Sequence, residues 1–110
     1  MSEAEFQGNV LKLARLGRWA AHFAYSSRRS PAGYPDLTLV AKPERLHLGP
    51  PYAVFAELKR EGEYPRPEQR DWRRWLEAVE VASGGQLIYR LWRPSDMPEI
   101  RHLLTRGFAE

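Results

Sequence analysis

A helix-forming segment lies between two strand-forming segments, and this arrangement constrains the fold more than any other feature of the sequence. Pro67 fits the first position of a helix, because its missing amide would have no partner there, and the segment continues to about Ala82. Gly84-Gly85 ends that helix. Since a helix separates the strands at 52–59 and 86–92, we expect the second strand to return to the sheet by a crossover connection.

The rest of the chain supplies two further helices and two further strands. Apolar residues recur at helical spacing over residues 3–16 and end at Gly17. Residues 19–25 alternate as a strand does, and a strand at 36–41 is expected to form a hairpin with 52–59. Asp96, with Glu99 three residues later, predicts a capping box at the start of the last helix. The predicted order is αβββαβα, an α/β sandwich with a mixed four-stranded sheet flanked by helices.

Composition limits the class of protein. The 110 residues suffice for one domain, and 43% hydrophobic with 28% charged residues is typical of a folded protein. The absence of cysteine excludes disulfides, thiolate metal sites and a cysteine nucleophile. Since no signal-like start and no run of about 20 apolar residues occurs, we expect an intracellular protein without a membrane partner. The formal charge of +3 favours a nucleic-acid partner without requiring one.

Three charged residues accompany strands that are otherwise apolar. Glu57 and Lys59 are two residues apart, so on a strand both side chains leave the same face, with their Cα atoms roughly 6.6 Å apart. Asp36 begins the neighbouring strand and is expected to lie across from them. Two carboxylates and a backbone carbonyl, such as that of Leu58, make an all-oxygen site suited to Mg²⁺, for which Mn²⁺ would substitute.

These residue types fit the hydrolysis of a phosphodiester bond. Carboxylate-bound Mg²⁺ activates a water molecule and acts as the Lewis acid, and Lys59 would position that water or screen the phosphate. Taken singly, Asp36 is typical of a turn and Glu57 of an exposed strand face. Taken together they indicate a site, because the strand face that they share is otherwise apolar and its charges need partners.

The first helix carries a further acidic candidate. Glu3 falls in line with the apolar stripe of Phe6 and Val10, whereas Glu5 points away from it. Glu3 is therefore a candidate metal or water ligand. Acidic residues are also stabilised at the positive N-terminal end of a helix without binding a metal. Both interpretations of Glu3, ligand and helix-end residue, stay open.

The second helix carries a polar residue within its apolar stripe. Gln69 shares that stripe with Trp72, Leu76 and Val79. We therefore expect the Gln69 amide to face inward, where it would bond a metal-bound water or a phosphate.

Five short motifs stand out along the chain, namely Glu3-Ala4-Glu5-Phe6-Gln7, Gly33-Tyr34-Pro35-Asp36-Leu37, Glu57-Leu58-Lys59, Glu68-Gln69 followed by Trp72, and Trp92-Arg93-Pro94-Ser95-Asp96. With them the chain resembles the VRR-NUC family, the virus-type replication-repair nucleases of the PD-(D/E)XK superfamily, over nearly its whole length. The resemblance implies a restriction-endonuclease-like core. It also implies the roles of individual residues: Asp36 and Glu57 as metal ligands, Lys59 as the catalytic lysine, Gln69 as the motif glutamine, and Glu3, or else Glu5, as the helix-one glutamate.

The resemblance also implies a reaction and partners. Members of this family are divalent-metal endonucleases that favour branched DNA such as four-way junctions, flaps or splayed arms, and the small stand-alone type occurs as homodimers in bacteria and phages. The expected location is the cytoplasm of a bacterial or phage-infected cell. A twofold-symmetric pair needs a self-complementary patch, for which Trp75 is one candidate because it lies off the inward stripe.

A basic, hydroxyl-rich segment leads into the candidate site. Its hydroxyl and guanidinium groups would hold phosphates beside the scissile bond, although an ordinary solvated loop can have the same composition. His22 lies near this segment and is either a substrate contact or a hydrogen-bonded structural histidine. His47 and His102 are expected at the surface, and the histidine spacing does not fit a zinc hydrolase. The candidate DNA contacts are Ser26, Ser27, Arg28, Arg29, Ser30 and His22.

Two other classes of function stay open. A degenerate, catalytically inactive nuclease fold would bind a DNA junction without cutting it, although such a module has no need of Asp36, Glu57 and Lys59. An interaction protein would use the four tryptophans and the basic face for a protein partner, and it would bind neither Mn²⁺ nor DNA.

Overall fold

The regular elements follow one another in the order predicted from the sequence. The computed structural model describes residues 1–24 and 31–108. Within these ranges the order is αβββαβα, short 3₁₀ helices occupy two connections, and no helix is long and apolar enough to cross a membrane. The elements are α1 (Glu3–Leu16), β1 (Trp19–Phe23), β2 (Leu37–Ala41), β3 (Ala53–Leu58), α2 (Pro67–Ala82), β4 (Leu87–Trp92) and α3 (Met97–Thr105).

The strands form one mixed sheet in the order β1-β2-β3-β4. β2 pairs antiparallel with both β1 and β3, which confirms the predicted hairpin of β2 and β3. β3 and β4 pair in parallel, with Ala53 opposite Leu87 and Leu58 opposite Trp92. A parallel pair requires a crossover connection, and α2 provides it, as predicted.

The main core lies between one face of the sheet and the helices α1 and α3. Alternate strand residues contribute to it, as expected when one face of a sheet is covered. Helix α2 packs on the other face of the sheet. Glu57 points to that face, since its neighbours Ala56 and Leu58 point into the main core, and Gln69 of α2 forms a hydrogen bond with it. The core residues are Phe6, Val10, Leu13, Ala14, Trp19, Leu37, Leu39, Val54, Ala56, Leu58, Ile88, Trp92, Ile100 and Leu104.

The carboxyl ends of α1 and α3 meet at Gly17 and Leu104. A Cβ atom at Gly17 would lie 1.6 Å from the Leu104 carbonyl oxygen, so this close approach requires glycine. The Arg45 guanidinium is buried between the two helix ends, where it donates to the carbonyls of Gly17 and Leu104 and stacks 4.2 Å from the Trp19 ring. Arg45 thus joins the 3₁₀ helix Pro43–Leu48 to both helices.

Two local expectations are wrong. Val79 is 44% exposed, because it lies at the margin of the α2 stripe and not in line with the buried Gln69 and Leu76. Asp96 makes no side-chain cap for α3. Its carboxylate accepts instead from the Arg93 backbone N–H at 2.9 Å, because a 3₁₀ turn, Pro94–Asp96, precedes the helix and has its own donor to satisfy.

Candidate metal centre

Asp36 and Glu57 face each other across strands β2 and β3. The register pairs Leu37 with Ala56, so continuing it by one residue places Asp36 opposite Glu57. Residues directly opposite each other have their Cβ atoms roughly 5 Å apart. The two carboxyl groups are close enough to form a hydrogen bond. The structure thus brings together the two carboxyl groups that the sequence selects.

The backbone of Leu58 adjoins the same two carboxyl groups. Asp36 Oδ2 accepts from the Leu58 N–H at 2.9 Å. In a strand, the N–H and C=O groups of one residue point toward the same neighbouring strand, so the Leu58 carbonyl lies on the Asp36 side of β3. This carbonyl is the backbone oxygen expected from the sequence to complete the donor set.

Glu57 is only 1% exposed, which is unusual for a carboxyl group. Burial, followed by the hydrogen bond to Asp36 and the charge of Asp36, raises the pKa of Glu57 from 4.5 to about 9, against the opposing charges of Lys59 and Arg66. Two carboxylates in contact repel each other unless a proton or a cation lies between them. A divalent cation would displace that proton on binding.

Gln69 orients Glu57 from the first turn of α2. Its Nε2 donates to Glu57 Oε1 at 2.9 Å, and its Oε1 accepts from the Arg66 backbone N–H at 2.8 Å. Both ends of the amide are therefore engaged and its orientation is fixed by the start of the helix. The expected inward position of Gln69 is confirmed, with Glu57 itself as its partner.

Lys59 follows the end of β3 and is half-buried. Its backbone N–H donates to the Trp92 carbonyl at 2.9 Å, which holds it beside the end of β4. Its positive charge favours the ionised form of Glu57. The ammonium group is therefore near enough to Glu57 to act on its ionisation.

The segment before Asp36 holds α2 in position. Gly33 has φ +81, and a Cβ atom there would lie 2.3 Å from the Glu68 carbonyl oxygen, so only glycine permits this contact. Trp72 Nε1 donates to the Ala32 carbonyl at 3.1 Å, and the Tyr34 and Trp72 rings meet edge to face at 5.1 Å. Through these contacts the segment that carries Asp36 also sets the position of Gln69.

The acidic residues of α1 stand apart from the carboxyl pair. Glu5 and Ser2 form a capping box, so Glu5 is engaged at the helix start. Glu3 is exposed and close to Arg60, whose pKa is raised first by Glu63 and to a smaller extent by Glu3. Within residues 1–24 and 31–108, no group of three or more His, Cys, Asp or Glu side chains converges. The structure therefore does not gather Glu3 with Asp36 and Glu57.

The remaining donor set still fits Mg²⁺. This ion is commonly held by one or two carboxylates together with water and substrate phosphates. Asp36, Glu57 and the Leu58 carbonyl supply such a set, with oxygen ligands only. Their chemistry matches a hard cation and does not match zinc, which favours nitrogen and sulfur ligands.

The candidate DNA contacts are divided between described and undescribed parts of the chain. Ser26, Ser27, Arg28, Arg29 and Ser30 lie outside the described residues. His22 is exposed on β1 opposite Thr38, which is two residues from Asp36. His47 and His102 are exposed, as expected.

Tyr89 is a neighbour of the site that sequence reasoning missed. It lies opposite Phe55 on β4, and its hydroxyl is buried without a hydrogen-bond partner in the described structure. Burial raises the pKa of Tyr89, and the nearby charge of Glu57 raises it further. The only signal in the sequence is a single hydroxyl in an apolar strand, which is too common to single it out.

Comparison of this chain with protein-family models, with curated proteins and with solved structures gives no match.

Proposed function

We propose that this protein is a metal-dependent endonuclease of the PD-(D/E)XK type that hydrolyses phosphodiester bonds in DNA. The observation that carries the proposal is the contact between the carboxyl groups of Asp36 and Glu57, with Lys59 beside them. Burying the Glu57 carboxyl against a second carboxyl group costs stability, and a strongly perturbed group of this kind is most common at a functional site. The αβββαβα order and the mixed sheet support the same assignment by analogy only.

Each residue of the site has a role in this proposal. Asp36, Glu57 and the Leu58 carbonyl would hold Mg²⁺ or Mn²⁺, which supplies Lewis acidity and an activated water when bound. Gln69 keeps Glu57 in one orientation, as partners of metal ligands commonly do. Lys59 places its ammonium where it positions the attacking water or screens the charge that develops on the phosphate.

The proposal includes the substrate and the assembly. Branched DNA, such as a four-way junction, a flap or a splayed arm, is the proposed substrate, and the net charge of +3 supports a polyanionic partner. A homodimer is the proposed assembly. Trp75 supports it, because it is 51% exposed on α2 and offers apolar surface to a second chain.

A cleavage assay with two lysine variants tests the proposal. Purified protein is incubated with labelled duplex, single-stranded, flap and four-way-junction DNA in Mg²⁺, in Mn²⁺ and in EDTA. We expect Lys59→Ala to lower the metal-dependent cleavage rate by at least about 100-fold, the usual effect of removing one transition-state group. Lys12→Ala is the matched control, because Lys12 is exposed on α1.

The outcomes separate the three classes of function. Cleavage that requires both metal and Lys59 supports the nuclease. Tight binding of a junction without cleavage in any metal would favour the inactive DNA-binding module. The absence of Mn²⁺ and DNA binding would leave the interaction protein.

A further inference from the structure

A pocket of about 550 Å³ opens between α2 and the end of β4, next to the candidate metal centre. Its walls include Tyr64, Arg73, Tyr89 and Arg93. Arg93 follows Trp92, whose carbonyl accepts the backbone N–H of Lys59, so one end of the pocket lies beside the catalytic lysine. The volume is within the range of roughly 300–1,000 Å³ that is usual for small-molecule sites.

The pocket is rich in aromatic and guanidinium groups, but most of its charges are already compensated. Arg73 pairs with Glu77 at 3.3 Å, and Arg90 pairs with Glu80 at 2.9 Å. Asp96 lies on the same wall as Arg93 and adds a further negative charge there. Since these pairs leave little net positive charge, the pocket is a poor phosphate site. Its remaining features are rings and hydrogen-bonding groups.

Tyr64 and Arg93 together form a stacking surface. Tyr64 is 79% exposed, so its ring is open to contact with a second flat ring. Arg93 lies with its guanidinium carbon 5.8 Å from the Tyr64 ring centroid, and its Nη2 donates to the Glu63 carbonyl at 2.6 Å. The loop that carries Tyr64 is therefore tied to the end of β4, with the ring at the mouth of the pocket.

Tyr89 lines the same pocket with its ring. Its hydroxyl is buried and has no partner among the described residues. A buried hydroxyl without a partner costs stability, and nothing in the packing of β4 requires a hydroxyl there. The hydroxyl is closed to solvent, so it offers no hydrogen bond to a ligand, and Tyr89 contributes only its ring to the wall of the pocket.

We propose that this pocket receives an unpaired nucleobase of the DNA strand that is cut, stacked on Tyr64 beside the metal centre. This inference rests on the proposed nuclease function and names its substrate class: DNA with a single-stranded stretch next to the scissile phosphate. In a duplex the base faces are hidden by their neighbours, so only an unstacked base can meet the ring. A splayed arm or a flap provides such a base, whereas a fully paired duplex does not.

Equilibrium binding of dye-labelled oligonucleotides in EDTA tests the pocket without cleavage. The probes are a single-stranded oligothymidylate and a blunt duplex, and the variants are Tyr64→Leu, which removes the ring, and Tyr64→Phe, which keeps it. We expect Tyr64→Leu to weaken single-strand binding roughly 5- to 150-fold, the usual effect of losing one stacked base, and Tyr64→Phe to stay close to wild type. Duplex binding should change little.

Salt dependence and a second variant sharpen the test. Because stacking releases no counterions, the fold-loss caused by Tyr64→Leu should be the same at low and high salt. Tyr89→Phe is a control: it should keep the fold and leave single-strand binding close to wild type, since the hydroxyl that it removes is closed to the pocket.

The failure of this inference differs from the failure of the nuclease proposal. If Tyr64→Leu binds single strands as wild type does, or if wild type does not bind them, the pocket assignment is overturned, even where Lys59-dependent cleavage is seen. If Tyr64-dependent binding occurs without cleavage in any metal, the pocket assignment is supported and the nuclease assignment fails.

Discussion

Glu57 combines deep burial with a second carboxyl group in contact, and its ionisation is therefore linked to the stability of the protein. Below about pH 4.5 the carboxyl is protonated in the folded and the unfolded states. Between that pH and about 9, the unfolded chain has released the proton while the folded chain keeps it. Stability therefore falls as the pH rises through this window, because the folded state binds more protons.

We predict that Glu57→Gln removes this loss of stability in the metal-free protein. The free energy of unfolding of wild type should fall between about pH 5 and pH 9, by up to about 1.4 kcal/mol per pH unit from this group. The variant keeps the shape of the protonated acid and cannot ionise, so its curve should be flatter. Urea unfolding in EDTA across this range measures the difference, and parallel curves for the two proteins would show that Glu57 is not buried as described.

At the scale of elements, the sequence predicts α1 and α2 well because their ends have local causes. Pro67 begins α2 and Gly17 ends α1, and both effects act within one turn of the chain. The Asp96 cap was mispredicted, because the choice between two nearby donors depends on the 3₁₀ turn before α3. Val79 was mispredicted because exposure depends on how far the sheet extends under α2, which is a property of the assembled layers.

For the candidate site too, the sequence predicts the features that have local causes and not those that depend on the packing of distant elements. The shared face of Glu57 and Lys59 follows from the period of a strand, and hairpin pairing was enough to expect Asp36 beside them. The bond from Gln69 to Glu57 requires the packing of α2 on the sheet, so the sequence predicts only its inward direction. Tyr89 comes from β4, and its closeness to Glu57 depends on a parallel register that no local pattern encodes.

We predict that Gly33→Ala lowers the free energy of unfolding by more than the positive φ of Gly33 alone explains, because the added Cβ atom disturbs the first turn of α2. Gly33 and Gly62 have the same φ of +81, but a Cβ atom at Gly62 meets nothing within 4 Å, whereas one at Gly33 would meet Glu68. Gly62→Ala is therefore the matched control and should cost roughly 1–2 kcal/mol. Gly33→Ala should cost about 1–3 kcal/mol more, as measured by thermal or urea unfolding. Equal losses would mean that α2 does not rest on Gly33.

At the scale of the whole molecule, Arg45 connects elements that are far apart in sequence. It is 1% exposed and donates to carbonyls at the ends of α1 and α3, where the helix dipoles place partial negative charge. Burial lowers the pKa of Arg45, with a smaller contribution from the charge of Arg106. The two helix ends thus take the place that a carboxylate usually has beside a buried arginine.

We predict that Arg45→Met lowers the free energy of unfolding by about 2–3 kcal/mol, the range for losing hydrogen bonds from a charged donor. Methionine keeps the long side chain but leaves the Gly17 carbonyl without its donor. Arg74→Met is the control, because Arg74 is an exposed residue paired with Asp71 and should change stability by less than about 1 kcal/mol. Chemical unfolding of both variants gives the comparison, and similar losses would contradict a joining role for Arg45.

The order of the strands determines where a second chain can join the sheet. β1 and β4 are the outer strands of the described sheet. On β4 the Tyr89 N–H already donates to the Glu80 carboxylate at 2.9 Å, so β1 is the edge at which another strand would add. Neighbouring strands are about 4.8 Å apart, so a strand added beside β1 would lie roughly 14 Å from β3. Such a strand would lengthen the sheet without touching Asp36 or Glu57. A second chain could therefore join the sheet while each chain keeps its own Asp36 and Glu57.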